Sequence, residues 1–190
     1  MRIVSGSAGG LHLKVPKGHK TRPTADQVRE AVFNILTSRF PLEDIAILDL
    51  FAGTGALGIE ALSRGARSAV FVDASPEAQR TIQENLKATG FRHQGRIIRA
   101  YVGKGIKVAE EQGLRFGGVF LDPPYEEGLI DKTLRLLATS SILEPWAWIV
   151  VEHSHHEEGA ESYPPLALTD RRRYGTTGVS FYQRLGEEAE

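Results

Sequence analysis

The chain has 190 residues, 41% of them hydrophobic and 25% charged, a formal net charge of −1 and no cysteine. These values predict one globular domain, 1–190, with a sizeable core, and they exclude disulfides, thiolate metal sites and enzymes that attack a pyrimidine through a cysteine. No apolar run reaches membrane-spanning length and Met1-Arg2-Ile3-Val4 lacks a signal-peptide layout, so a cytoplasmic protein without membrane contact is expected.

Residues 2–16 alternate around Gly9-Gly10, with period two from Leu11 to Val15, which predicts a β-hairpin. After a basic loop, Pro23-Thr24 opens a helix. Thr24 and Gln27 have capping-box spacing, Val28, Ala31, Val32, Ile35 and Leu36 share one stripe, and Pro41 ends the element. Residues 1–40 therefore read as a hairpin and helix extension docked on a core spanning 41–185, with an acidic tail at 186–190. Through residue 39 the cations Arg2, Lys14, Lys17, Lys20, Arg22, Arg29 and Arg39 face only Asp26 and Glu30, a local net of +5. Such a segment suits a phosphate backbone or forms an ordinary solvated surface; Lys17, Lys20 and Arg22 are the candidate contacts in the first case.

From Ile45 onward strands and helices alternate. Strands are expected over 45–51, 69–73, 96–100, 117–122 and 146–152, and helices after the glycines at 52–58, from Ser75-Pro76 to Gly90, over 106–112 and over 129–139. Two last strands, near 166–171 and 179–185, join through the turn at 174–178. The pattern implies an α/β, Rossmann-like fold: a mostly parallel sheet of seven strands, covered on both faces and closed by a C-terminal antiparallel hairpin.

Two motifs sit at strand ends. Gly53-x-Gly55-x-x-Gly58 follows the first core strand and Asp73 ends the second, a spacing that brings backbone close to a nucleoside-bearing cofactor and offers a carboxylate to its ribose. That pattern fits a nicotinamide dinucleotide or S-adenosylmethionine. Asp49, just before the loop, favours the second, because it would repel a pyrophosphate and pair with an amino group. The other motif is Asp122-Pro123-Pro124-Tyr125, which ends a buried run with a carboxylate, two prolines lacking N–H groups and an aromatic ring. Asp122 and the Pro123 carbonyl offer acceptors only, suited to an exocyclic amine, and Tyr125 offers a stacking face. His153-x-His155-His156 lies in polar, acidic sequence without spaced partners and reads as a solvated loop, with no metal site expected. Arg171-Arg172-Arg173 suits either RNA phosphate or edge-strand protection.

The stretch Asp49 to Gly55, Asp73 and Asp122 to Tyr125, in this order, resembles class I S-adenosylmethionine methyltransferases that act on amino nitrogens. More narrowly, the segments 22–30 and 55–66 and the pair Val151-Glu152 are similar to the RsmD family, which methylates N2 of one guanine in 16S rRNA. The resemblance spans nearly the whole chain. It implies that Asp49, Gly53 and Gly55 hold the methionine end of the cofactor and Asp73 its ribose, with Phe51 and Ala74 beside them. Asp122, Pro123 and Tyr125 would handle the target base. Where the wider class often carries an acid or amide near the end of the third strand, this chain has Ala100-Tyr101, so adenine would be held by backbone groups and pack on Tyr101. The implied partner is 16S rRNA, in a small subunit or assembly intermediate, bound by a monomer. An adenine-N6 enzyme on DNA or RNA, a nicotinamide dehydrogenase and a noncatalytic ribosome-assembly factor are the alternatives.

Overall fold

In the computed structural model, which describes residues 1–16, 23–125 and 127–186 and only the backbone of 23–25, one sheet organises the chain. Five parallel strands, β1 (Ala46–Leu50), β2 (Ser68–Asp73), β3 (Gly95–Arg99), β4 (Phe116–Leu121) and β5 (Leu143–Ser154), are followed by antiparallel β6 (Ser162–Tyr163), β7 (Leu166–Tyr174) and β8 (Thr177–Arg184). Their order across the sheet is β3-β2-β1-β4-β5-β8-β7-β6. The chain steps outward from β1 through β2 to β3 and then returns across β1 to β4. Between β1 and β4 the winding reverses, and a parallel sheet opens a crevice at the C-terminal ends of its strands at such a point.

Parallel strands covered on both faces read as unbroken apolar runs, and alternation within them sorts the core into two layers. Ile47, Phe71, Phe120 and Val150 face α1 (Pro23–Arg39), α2 (Ala56–Ser63) and α3 (Pro76–Thr89), whereas Leu48, Leu50, Val72, Leu121 and Val151 face α4 (Val102–Glu111) and α5 (Leu129–Thr139). The α1 stripe is displaced from the expected one: Val28, Val32 and Leu36 are buried, but Phe33 takes the central place, its ring 5.4 Å from that of Phe120.

Helix α3 has its predicted ends, with Ser75 Oγ accepting from the Glu77 and Ala78 N–H groups and Gly90 left-handed at φ 81°. Helix α5 has its predicted span. Several boundaries differ, two of them for clear physical reasons, and one strand is added. Helix α4 starts at Val102 rather than 106; Gly105, a poor helix former that masks this first turn in the sequence, is needed where the helix crosses β2, since a Cβ there would lie 2.4 Å from Val72 Cγ1. Strand β5 runs on to Ser154 because β8 pairs with it as far as Ser154 opposite Thr177. The two-residue β6 adds an eighth strand.

The amino-terminal hairpin is reduced to one antiparallel bridge, Arg2 with His12. Other backbone donors of the segment are used elsewhere. Val4 and Ser5 N–H groups go to the Glu60 carboxylate at 2.8 and 3.0 Å, Ser7 to Ser63 O and Ala8 to Ser63 Oγ. Asn85 of α3 accepts from Lys14 N–H and donates to Lys14 O and Thr54 O. The segment is thus laced to α2 and α3 as well as to itself, where Ile3 N–H bonds Leu11 O, Gly10 N–H bonds Ile3 O and Leu13 N–H bonds Met1 O. The Thr24 side chain, Lys17, Lys20, Arg22 and the tail 187–190 lie outside the described residues.

Candidate active site

Strand β1 ends at Leu50, and the chain then turns through Phe51 at φ 57° and the left-handed glycines Gly53 and Gly55 before α2 begins. Asp73, at the end of β2, ties this loop down: Oδ2 accepts from Gly53 N–H and Oδ1 from Ser75 N–H, both at 2.9 Å. Each carboxylate oxygen keeps a second lone pair for an incoming hydroxyl. Asp49 lies beneath the loop, 1% exposed, its Oδ2 accepting from Gly58 N–H at 2.9 Å. Gly58 is required by close approach, since a Cβ there would stand 2.4 Å from Phe71 Cε1 and 3.2 Å from Asp49 Oδ2.

Beside the loop, at the C-terminal edge of the sheet, lies a cavity of about 750 Å³, within the range of small-molecule sites. One end is formed by Phe51, Asp73, Ala74 and Tyr101, the other by Asp122, Pro123 and Tyr125. Eight of the ten residues singled out from the glycine loop and the Asp-Pro-Pro-Tyr motif therefore divide into seven on the cavity wall and one, Asp49, buried behind it; Gly53 and Gly55 shape the loop itself. Tyr101 is 82% and Tyr125 46% exposed, and with Leu136 they are three of the six large apolar side chains left exposed among the described residues. Clustering of exposed rings on one cavity is the mark of a flat ligand.

Carboxylates crowd this edge. Burial pushes the Asp49 carboxyl up to about 8, against the Gly58 hydrogen bond and with help from Asp73. Asp122 is exposed to the cavity yet set deep among protein atoms; desolvation raises its carboxyl well above the usual range, and the charges of Glu152 and Asp49 raise it further. Glu152 is raised by desolvation and eased by Arg29. The consequence for stability has a definite sign. A carboxyl raised in the folded state stabilises fully below its unfolded pKa, near 3.9, and that contribution is lost as pH rises through the folded value, about 8 for Asp49. The ligand-free protein should therefore lose several kcal/mol between pH 4 and 8. Thermal melts across that window should show a shallower decline for Asp49→Asn, which keeps an acceptor for Gly58; an equal decline would remove Asp49 as the cause.

Sequence reading missed two parts of this site. The cavity wall from α4 and α5, including Val102 and Leu136, was signalled only by Leu136 standing out of phase with the buried Ile130, Leu134 and Leu137. Arg29 is 4% exposed and reaches Asp26 and Arg2 O, with Nε 3.7 Å from Glu60, contacts across the fold that local pattern cannot reveal.

His153 is not in a solvated loop: it belongs to β5, is fully buried, and its two ring nitrogens bond Ser154 O and Ser180 Oγ. Arg171 is held by Ser180 Oγ, Glu158 and Gly159 O, and Arg172 by Asp170, so these two arginines serve the terminal hairpin.

A protein-family model described as "Conserved hypothetical protein 95" matches residues 1–183. The Bacillus subtilis protein named "Putative rRNA methyltransferase YlbH" is 39% identical over 186 residues, covering 98% of this chain and all of its own length. Ribosomal RNA small subunit methyltransferase D of Escherichia coli K12 is 35% identical over 97% of this chain and 90% of its own. Among solved structures, "Putative methyltransferase yhhF" from Escherichia coli superposes with a TM-score of 0.82 at 33% identity, over 98% of this chain and 99% of that one.

Proposed function

This chain belongs to the RsmD family, whose model carries the description conserved hypothetical protein 95, and on that premise we propose that it methylates the exocyclic N2 of a guanine in small-subunit rRNA, using S-adenosylmethionine. The observation that carries the reading is the pairing of an acceptor-only corner, Asp122 with Pro123, and the exposed Tyr125 ring in the same cavity as Asp73 and Tyr101. S-adenosylmethionine supplies an activated methyl group on a sulfonium. The chain's residues suit it. Asp49, Asp73 and Asp122 crowd this edge, and a ligand with ammonium and sulfonium charges would favour their ionised forms, whereas a pyrophosphate would be repelled by them. Asp73 would take the ribose and Tyr101 the adenine face, with Phe51, Ala74, Gly53 and Gly55 around the methionine end.

At the other end Tyr125 would stack on a base swung out of its helix, as enzymes acting on bases require. Asp122 and the Pro123 carbonyl would accept the two N2–H bonds. An amine nitrogen whose lone pair is drawn into the ring is a poor nucleophile, and holding both N–H bonds in this way turns the lone pair outward. Asp122, with its raised pKa, is also placed to take the proton that N2 releases. The protein would act as a monomer in the cytoplasm, on a small subunit or assembly intermediate.

The test is to incubate the protein with labelled S-adenosylmethionine and, separately, deproteinised rRNA, small subunits or DNA, then map the product. Label on N2 of one guanine in small-subunit rRNA is expected; label on adenine, or no transfer to any substrate, overturns the proposal. A second expectation concerns recognition. Lys17, Lys20 and Arg22 enter on charge alone, and replacing all three with alanine should weaken RNA binding by at least about tenfold and lower its salt slope, with cofactor affinity nearly unchanged. Binding titrations at several salt concentrations check this, and an equal fall in cofactor affinity would move the segment to the cofactor pocket.

A further inference from the structure

Asp122 has a neighbour of the same kind. β4 and β5 run parallel with Leu121 opposite Val151, so the next residues, Asp122 and Glu152, stand side by side at the C-terminal edge. Adjacent strands are about 4.8 Å apart. Glu152 alternates with the buried Val151 and lies on the face of Val150, toward α1, next to the part of the cavity wall that Asp122 forms. Among the described residues neither carboxylate receives a hydrogen bond or a salt bridge. Asp122 is exposed to the cavity and Glu152 half-buried, so both carboxylates are open to donors from a ligand, and the Glu152 charge raises the Asp122 carboxyl. Arg29 acts on Glu152 through space and favours its ionised form. Asp122 and Pro123 line the cavity, and Glu152 stands next to them in register, one strand over.

We propose that Glu152 is a specificity-determining residue of the base site that accepts the N1–H of guanine while Asp122 and Pro123 hold its N2 amine. This deepens the reading above and rests on it. Asp122 and Pro123 alone accept any exocyclic amine. The Watson–Crick edge tells the amines apart: guanine sets N1–H beside N2–H₂, three donors in a row, whereas adenine and cytosine set a ring lone pair beside theirs. A carboxylate at Glu152 bonds the first pattern and repels the second, so one side chain turns an amine site into a guanine site.

The experiment uses the full chain and small subunits, or their RNA, carrying either guanine or 2-aminopurine at the nucleotide mapped as the target. 2-Aminopurine keeps the 2-amine but has a lone pair at N1. The wild-type protein is expected to favour guanine in kcat/KM by on the order of 10–10²-fold, the value of one hydrogen bond to a charged group. Glu152→Gln, whose amide can turn its donor toward N1, should lose rate on guanine and gain on 2-aminopurine, bringing the ratio close to one. Equal wild-type rates on the two bases would overturn the inference without any variant. So would a Gln variant that keeps the wild-type ratio, including one whose rates fall in parallel through misfolding. If the mapped wild-type product were instead an N6-methyladenine, the guanine reading itself would fall, and the two failures are therefore distinct.

Discussion

Replacing Asp122 by alanine is expected to lower the methyl-transfer rate by on the order of 10²–10³ while cofactor affinity changes little. The magnitude is that of removing one positioned group that stabilises charge developing in a transition state. Positive charge grows on the amine nitrogen as it attacks, and Asp122 lies in the cavity corner where that charge would form. Asp122→Asn should fail almost as badly: it keeps a carbonyl but loses the charge and adds a donor facing the substrate's donors. Tyr125→Phe should be mild and Tyr125→Ala severe if the ring serves to stack. The raised carboxyl gives a pH signature as well. Asp122 must be ionised to act, so the single-turnover rate should climb as pH rises through its elevated pKa and flatten above it. Single-turnover kinetics with parallel cofactor titrations check all of this. A folded Asp122→Ala protein with near-wild-type turnover would falsify the assignment and leave Asp122 a strand-end residue.

Most of the architecture was legible because its signals are local. Ser75-Pro76 and Gly90 bracket α3 through chemistry contained within the helix ends, and the α5 stripe of Ile130, Leu134 and Leu137 repeats at helical spacing. The site motifs were legible for the same reason, being short runs at strand ends that the parallel sheet delivers to one edge. What stayed hidden depends on partners distant in sequence. The segment 2–16 alternates like a hairpin and keeps three cross-strand hydrogen bonds, yet α2 and α3 take other donors of it, with Glu60 and Ser63 more than fifty positions away. His153 sits in polar sequence but is buried because β8 extends the pairing of β5 past it. Glu152 carried no role when read alone, since its meaning comes from standing in register beside Asp122.

The same long-range logic predicts the largest stability loss at a residue with no catalytic contact. Glu60 sits in the middle of α2, fully buried, and holds four groups: Oε2 accepts from Val4 N–H at 2.8 Å, Oε1 from Ser5 N–H at 3.0 Å and Arg64 Nε at 2.9 Å, and Arg29 Nε lies 3.7 Å away. Arg29 Nε has no hydrogen bond of its own, so the Glu60 charge is its nearest compensation. Deleting one partner of a buried ion pair costs about 3–5 kcal/mol; here Arg29 would keep Asp26, but its Nε and the Val4 and Ser5 N–H groups would lose their acceptor. Glu60→Ala should therefore melt roughly 6–20 °C below wild type for a chain of this size. Glu60→Gln should fall between the two, since its one carbonyl can serve some of the donors but carries no charge to offset either arginine. The damage should be directional: Val4 and Ser5 amides should lose hydrogen-exchange protection first, and α1, which carries Arg29, should loosen from the sheet edge beside Glu152. Cofactor affinity should suffer less than RNA methylation, because Asp73 and the glycine loop are held by bonds that do not pass through Glu60. A Glu60→Ala protein that melts within about 2 °C of wild type, with Val4 and Ser5 still protected, would show that the amino-terminal segment is held by its apolar contacts, Ile3 and Leu13, rather than by this carboxylate.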